Sequence, residues 1–131
     1  MSNSTKLAHS LLRQLIEVGV SDFVVSPGSR NAPFLIALGE AASKQIIDLH
    51  VKIDERGAAF FALGIAKASN NYVAVICTSG TAAANFHPAV LEALASGVPV
   101  VCKNKGGINE LITHKRNGFI EQDRPQMLRR L

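Results

Sequence analysis

The sequence predicts one doubly wound, three-layer α/β/α domain with a mainly parallel five-stranded sheet, flavodoxin-like or Rossmann-like in layout. Three observations carry that reading. Strand-like runs rich in β-branched residues alternate with segments of helical periodicity along the whole chain. The strand-like runs are apolar throughout, as befits strands covered on both faces, and right-handed crossovers leave few other topologies. At 131 residues the chain is close to the commonest size for one domain and long enough to bury a core, so a single domain over residues 1–131 is expected.

In chain order, a helix is expected over residues 4–18, capped by Ser4 or Thr5, closed by Gly19 and leading into the strand DFVVS at 22–26. Helices at 31–42, 55–69, 81–95 and 107–113 then alternate with strands at 46–53, 72–77, 98–102 and 118–121, and a short helix starts near Pro125. Phe60, Phe61 and Leu63 are expected to pack the helix at 55–69 onto the sheet.

No apolar run reaches the roughly 18 residues a membrane helix needs. The opening MSNSTKLAHS has neither a basic leader with a long apolar block nor a small-residue cleavage site, so a soluble cytoplasmic protein is expected. Cys77 and Cys102 lie near the ends of strand-like runs and are expected as free buried thiols; no zinc spacing occurs. The whole formal charge of +4 resides in the tail, where residues 103–131 hold seven Lys/Arg against three Asp/Glu; residues 1–102 carry seven of each. That tail lacks aromatic interleaving, so nucleic-acid binding is not expected, while small anionic ligands stay open. His9, His50, His87 and His114 show no ligand spacing and read as surface or satisfied-core side chains; no metal site is expected.

In a doubly wound sheet, ligands sit at the carboxyl ends of the strands. The loops there are SPGSRNAP (26–33), DERGAA (54–59), TSGTAAAN (78–85) and KNKGGINE (103–110). In the first, helix-start amides and the Ser29 hydroxyl suit an anion and Arg30 can fork a carboxylate or phosphate, although taken alone the loop reads more simply as a plain turn with a solvent-facing arginine. In the third, Ser79 or Thr81 caps a helix whose small first turn permits close approach of a ligand or of another backbone. It is not a P-loop, since no lysine follows the glycine as required. In the second, Asp54 is the N-cap, Arg56 points to solvent, and Glu55 occupies the first turn, where the helix dipole favours a carboxylate with or without a ligand.

Taken together, VVSPGSRNAP, HVKIDERGAAFFALGIAKAS and VAVICTSGTAAANFHPAVLEA resemble the pyrimidine-binding domain of the thiamine-diphosphate-dependent synthases of menaquinone biosynthesis, over about residues 1–100. The resemblance implies that Glu55 hydrogen-bonds the aminopyrimidine ring of thiamine diphosphate. It favours the imino tautomer that draws the proton from the thiazolium carbon, and desolvation there favours the protonated carboxyl. It further implies cofactor contacts at Ser79, Gly80, Thr81 and Asn85, an acidic acceptor held by Ser29 and Arg30, addition of 2-oxoglutarate to isochorismate, and a homodimer.

Such a synthase continues for several hundred residues, including the domain that grips Mg2+ and the diphosphate. Here the tail EALASGVPVVCKNKGGINELITHKRNGFIEQDRPQMLRRL is instead similar to the carboxyl-terminal half of GT-B glycosyltransferases, with a seam at about 91–101. Glu92 matches their ribose-binding glutamate, whereas the partner glutamate is replaced by Ala84. The expectation is therefore a recombined or engineered α/β unit with no cofactor bound and no turnover by itself, catalysing carboligation only if a partner supplies the diphosphate and Mg2+ site. The alternative is a nucleotide-sugar or anion-binding module.

Overall fold

In the computed structural model, which describes residues 2–103, 112–116 and 118–121, helix α1 (Asn3–Glu17) starts from Ser2. The Ser2 Oγ accepts the Thr5 backbone N–H at 3.2 Å and gathers the Ser4 and Thr5 hydroxyls, so the cap lies upstream of the two expected residues. Gly19 ends the helix as expected, in a left-handed conformation (φ +95°) that a side chain would strain.

Strand β1 (Asp22–Val25) follows, then a 3₁₀ turn (Ser29–Asn31), α2 (Ala32–Ser43), β2 (Asp48–Val51), α3 (Glu55–Ser69) and β3 (Val73–Ile76). The three strands form a parallel sheet in the order β2-β1-β3, with Phe23 paired to Leu49 on one side and Ala74 on the other. Phe23, Val24 and Val25 are fully buried because β1 is central and covered on both faces, which is why its sequence is continuously apolar. Phe23 and Val25 pack with Leu12, Leu38, Ala41 and Ile47 under α1 and α2; Val24 packs with Ala58 and Ala62 of α3 on the other face. The protein is thus an α/β structure with parallel strands layered between helices.

Three expectations are corrected. The continuous five-stranded sheet is not formed among the described residues: β4 (Val100–Lys103) and β5 (Gly118–Glu121) make a separate two-stranded parallel pair. The start of β4 explains part of this. The Val98 N–H is taken by the Ala93 carbonyl (2.8 Å) as the chain leaves Gly97 (φ +77°), and Pro99 has no N–H, so the first two residues of the expected strand cannot donate to a ladder. Second, the expected helix at 81–95 is a 3₁₀ segment (Gly80–Phe86) followed by α4 (His87–Ala95). Pro88 lacks the N–H that would bond back one turn, so the α-helix begins with proline in its first turn. Third, the buried stripe of α3 is Ala58, Ala59, Ala62 and Leu63, the last as expected, whereas Phe60 is 42% exposed; Phe61, 38% exposed, packs its ring on the sheet edge against His50 of β2 (centroids 5.2 Å apart) with the Lys52 ammonium 3.9 Å from its centroid.

Other expectations hold. Helix α3 and strand β5 have the bounds read from sequence, and Cys77 and Cys102 are free and half-buried. His50 is bonded to Asp22 (3.0 Å), and His114 Nδ1 accepts the Ile120 N–H (3.1 Å). Most of the helix expected at 107–113 and all of the one near Pro125 lie outside the described residues. Among the described residues no helix is long and apolar enough to cross a membrane.

Candidate functional site

Three of the four loops singled out by topology converge at the carboxyl ends of β1, β2 and β3. The first is fixed by a buried side chain, Asn31: its Oδ1 accepts the Gly28 N–H (2.8 Å) and its Nδ2 donates to the Ser26 carbonyl (2.9 Å). This closes SPGSRN on itself and leaves Ser29 and Arg30 exposed. Gly28 is required by proximity and not by conformation, since its φ of −165° is ordinary extended backbone. A Cβ placed there would lie 2.5 Å from the Thr78 Cβ, so the first and third loops touch. Arg30 reinforces that contact by donating from Nη1 to Ser79 Oγ at 3.2 Å. Among the described residues Arg30 has no acidic partner.

In the second loop Asp54 is the N-cap, as expected: its Oδ2 accepts the Gly57 N–H at 2.6 Å, and Arg56 is exposed. Capping at Asp54 puts Glu55 in the first turn of α3, half-buried, where the helix N-terminus favours its negative charge. The third loop meets it there, Asn85 Nδ2 donating to Glu55 Oε2 at 3.1 Å. Burial and then the Glu55 charge push the Cys77 thiol above its ordinary value of 9.0, which places the end of β3 within electrostatic reach of the glutamate.

Among the sequence candidates, then, Glu55 is joined to Asn85 and Arg30 to Ser79. Gly80 adopts a left-handed φ of +87° with open space where its side chain would be, and Thr81 is exposed. Neither Ser79 nor Thr81 caps through its side chain as expected; Ser79 occupies the cap position, but its hydroxyl is engaged by Arg30. The fourth loop falls almost wholly outside the described residues.

Sequence reasoning missed Asn31, Thr78 and Ser26, whose hydroxyl is buried without a hydrogen-bond partner among the described residues. Asn31 carried a signal, an amide three residues after a Pro-Gly turn, a pattern that often bonds its own backbone. Thr78 and Ser26 carried none. A groove of about 640 Å³ between α1 and α2, lined by Lys6, His9, Arg13, Glu40 and Lys44 among others, shares no residue with this site.

The Glu55 carboxylate at a helix start thus faces the Asn85 amide at the carboxyl ends of parallel strands, the rim where α/β sheets commonly take ligands. The chain belongs to the family described as thiamine pyrophosphate enzyme, N-terminal TPP binding domain, whose profile matches residues 5–103. It is 48% identical over 124 residues to the 2-succinyl-5-enolpyruvyl-6-hydroxy-3-cyclohexene-1-carboxylate synthase of Saccharopolyspora erythraea, covering 95% of this chain and 22% of that protein. The synthase of the same name from Thermobifida fusca is 52% identical over 101 residues (77% of this chain, 18% of that protein). That of Mycobacteroides abscessus is 46% identical over 122 residues (93% and 23%). The chain therefore spans about a fifth of the length of these curated relatives. Two of the alignments run through most of the residues after Cys102, and none of the three relatives is a glycosyltransferase, so the tail's second resemblance finds no counterpart among them.

Proposed function

We propose that this chain is the pyrimidine-binding part of a thiamine-diphosphate-dependent synthase of menaquinone biosynthesis, with Glu55 engaging the cofactor's aminopyrimidine. The observation that carries this reading is the setting of the Glu55 carboxylate. It is half-buried at a strand end, and Asn85 holds its Oε2, the one hydrogen bond it makes among the described residues. The remaining oxygen fits a pyrimidine ring nitrogen: a carboxyl group accepts when ionised and donates when protonated, so Glu55 can hold or pass a proton there. Ser79, Gly80, Thr81 and Asn85 surround the same end of the cofactor in this reading. Ser29 and Arg30 take the acidic acceptor, which the absence of an acidic partner for Arg30 among the described residues supports.

Bound thiamine diphosphate supplies the decarboxylation of 2-oxoglutarate and the carbon–carbon bond to isochorismate. Among the described residues no cluster of three or more His, Cys, Asp or Glu is placed to hold a metal ion. In this reading the chain binds the cofactor by its pyrimidine end, and turnover needs a partner that supplies the diphosphate and Mg2+ site. A homodimer in the cytoplasm is the proposed setting. Exposed Ile53, Phe60 and Phe61 support self-association, and the free thiols suit a reducing compartment.

A second reading, nucleotide-sugar binding by a recombined tail, rests on the tail's resemblance alone, and the synthase alignments that run through most of that tail speak against it. Melting curves separate the two, because a ligand selective for the folded state raises the melting temperature. Thiamine diphosphate with Mg2+ should raise it and UDP-sugars should not. The reverse pattern would replace the first reading with the second.

A further inference from the structure

We infer that Asn85 is a positioning residue: it acts on the cofactor through Glu55 by fixing the plane in which the carboxylate faces the ligand. This deepens the function proposed above and rests on it. Glu55 and Asn85 are 30 residues apart, on different βα loops, and their side chains meet at 3.1 Å with the amide donating to Oε2. The geometry constrains Glu55 from both ends of its side chain. Its backbone is set by the Asp54 cap, whose 2.6 Å bond to the Gly57 N–H fixes the first turn of α3. Without Asn85 the carboxylate would still be free to rotate about its terminal torsion, which has broad, roughly two-fold wells. An amide N–H bonded to Oε2 selects one orientation, and an ionised acceptor makes that bond stronger than a neutral pair would.

Asn85 itself is held by the 3₁₀ segment Gly80–Phe86, which begins at the left-handed Gly80 and ends at the Pro88-led helix α4. That segment buries Ala82, so the loop has an anchor that keeps the amide facing α3. The 3₁₀ winding therefore has a use: it delivers Asn85 to the carboxylate, whereas an unbroken helix over the same residues would turn it by a different angle per residue.

The test is a cycle of Asn85→Ala and Glu55→Gln on the full chain, read two ways. In NMR spectra without cofactor, the Asn85 side-chain amide signals should move on Glu55→Gln. In binding isotherms with thiamine diphosphate and Mg2+, Asn85→Ala should weaken affinity about fivefold in the wild-type background and leave it unchanged in the Glu55→Gln background, consistent with the loss of one hydrogen bond to a charged group. An equal loss in both backgrounds would mean that Asn85 contacts the cofactor directly, and would overturn the inference. So would Asn85 amide signals indifferent to Glu55. Wild-type chain with no cofactor affinity would instead count against the proposed function, and the NMR arm would still decide the contact.

Discussion

The two faces of the β2-β1-β3 sheet are built by different means. Under α1 and α2, bulky side chains interlock: Leu12, Phe23, Val25, Leu38 and Ile47 are all at least nine-tenths buried in one cluster. Under α3 the corresponding cluster is Val24 with Ala58 and Ala62. Small residues let a helix approach its sheet closely, and here they leave Phe60 exposed and Phe61 against His50 at the sheet edge while keeping Glu55 beside the strand ends. The thick face supplies stability. The thin face carries the site and the exposed apolar surface proposed for self-association.

The largest expected effect tests the thick face. Phe23→Ala empties a fully buried position and should destabilise by about 3–5 kcal/mol in denaturant unfolding. Next comes the loop contact: Gly28→Ala forces a Cβ against Thr78 and should cost about 1–3 kcal/mol, partly recovered by Thr78→Gly, which removes the atom it strikes. Loss of the α3 cap in Asp54→Ala should cost about 1 kcal/mol. An alkaline effect follows from the thiols. Cys77 and Cys102 are pushed above their ordinary value of 9.0 in the folded state, so the unfolded chain releases those protons first; their contribution is intact below about pH 9 and is lost as pH rises beyond it. Melting curves from pH 8 to 10 should therefore decline less steeply for Cys77→Ser/Cys102→Ser. Because the Glu55 charge is part of the cause at Cys77, Glu55→Gln should also lower the pH at which Cys77 becomes alkylated. The smallest stability change belongs to the thin face: Phe60→Ser should stay within about 0.5 kcal/mol while shifting sedimentation toward monomer.

What could be read from sequence was local. Asp54 and Glu55 were legible because an Asp at the end of a strand and three residues before a glycine defines a cap within one turn of chain. The limits of α3 and β5 were legible from periodicity and Gly118. The contacts that assemble the site were not: Arg30 meets Ser79 across 49 residues and Asn85 meets Glu55 across 30, and no local pattern encodes such pairs. The face of α3 was only partly legible: Leu63 is buried and Phe61 meets His50 of β2 as expected of a packed face, but Phe60 lies beside the alanine stripe, and an apolar helix does not announce which side meets the sheet. Strand β4 began late because Val98 spends its N–H on Ala93, a helix-closing bond that composition hides.

The most direct measurement is a binding isotherm for thiamine diphosphate with Mg2+ on the wild-type chain and on Glu55→Gln, with melting curves to confirm that both are folded. Measurable affinity in the wild type, weakened about tenfold or more but still measurable in the variant, is the predicted result. Equal affinity in both would contradict the assignment of the cofactor's ring to Glu55.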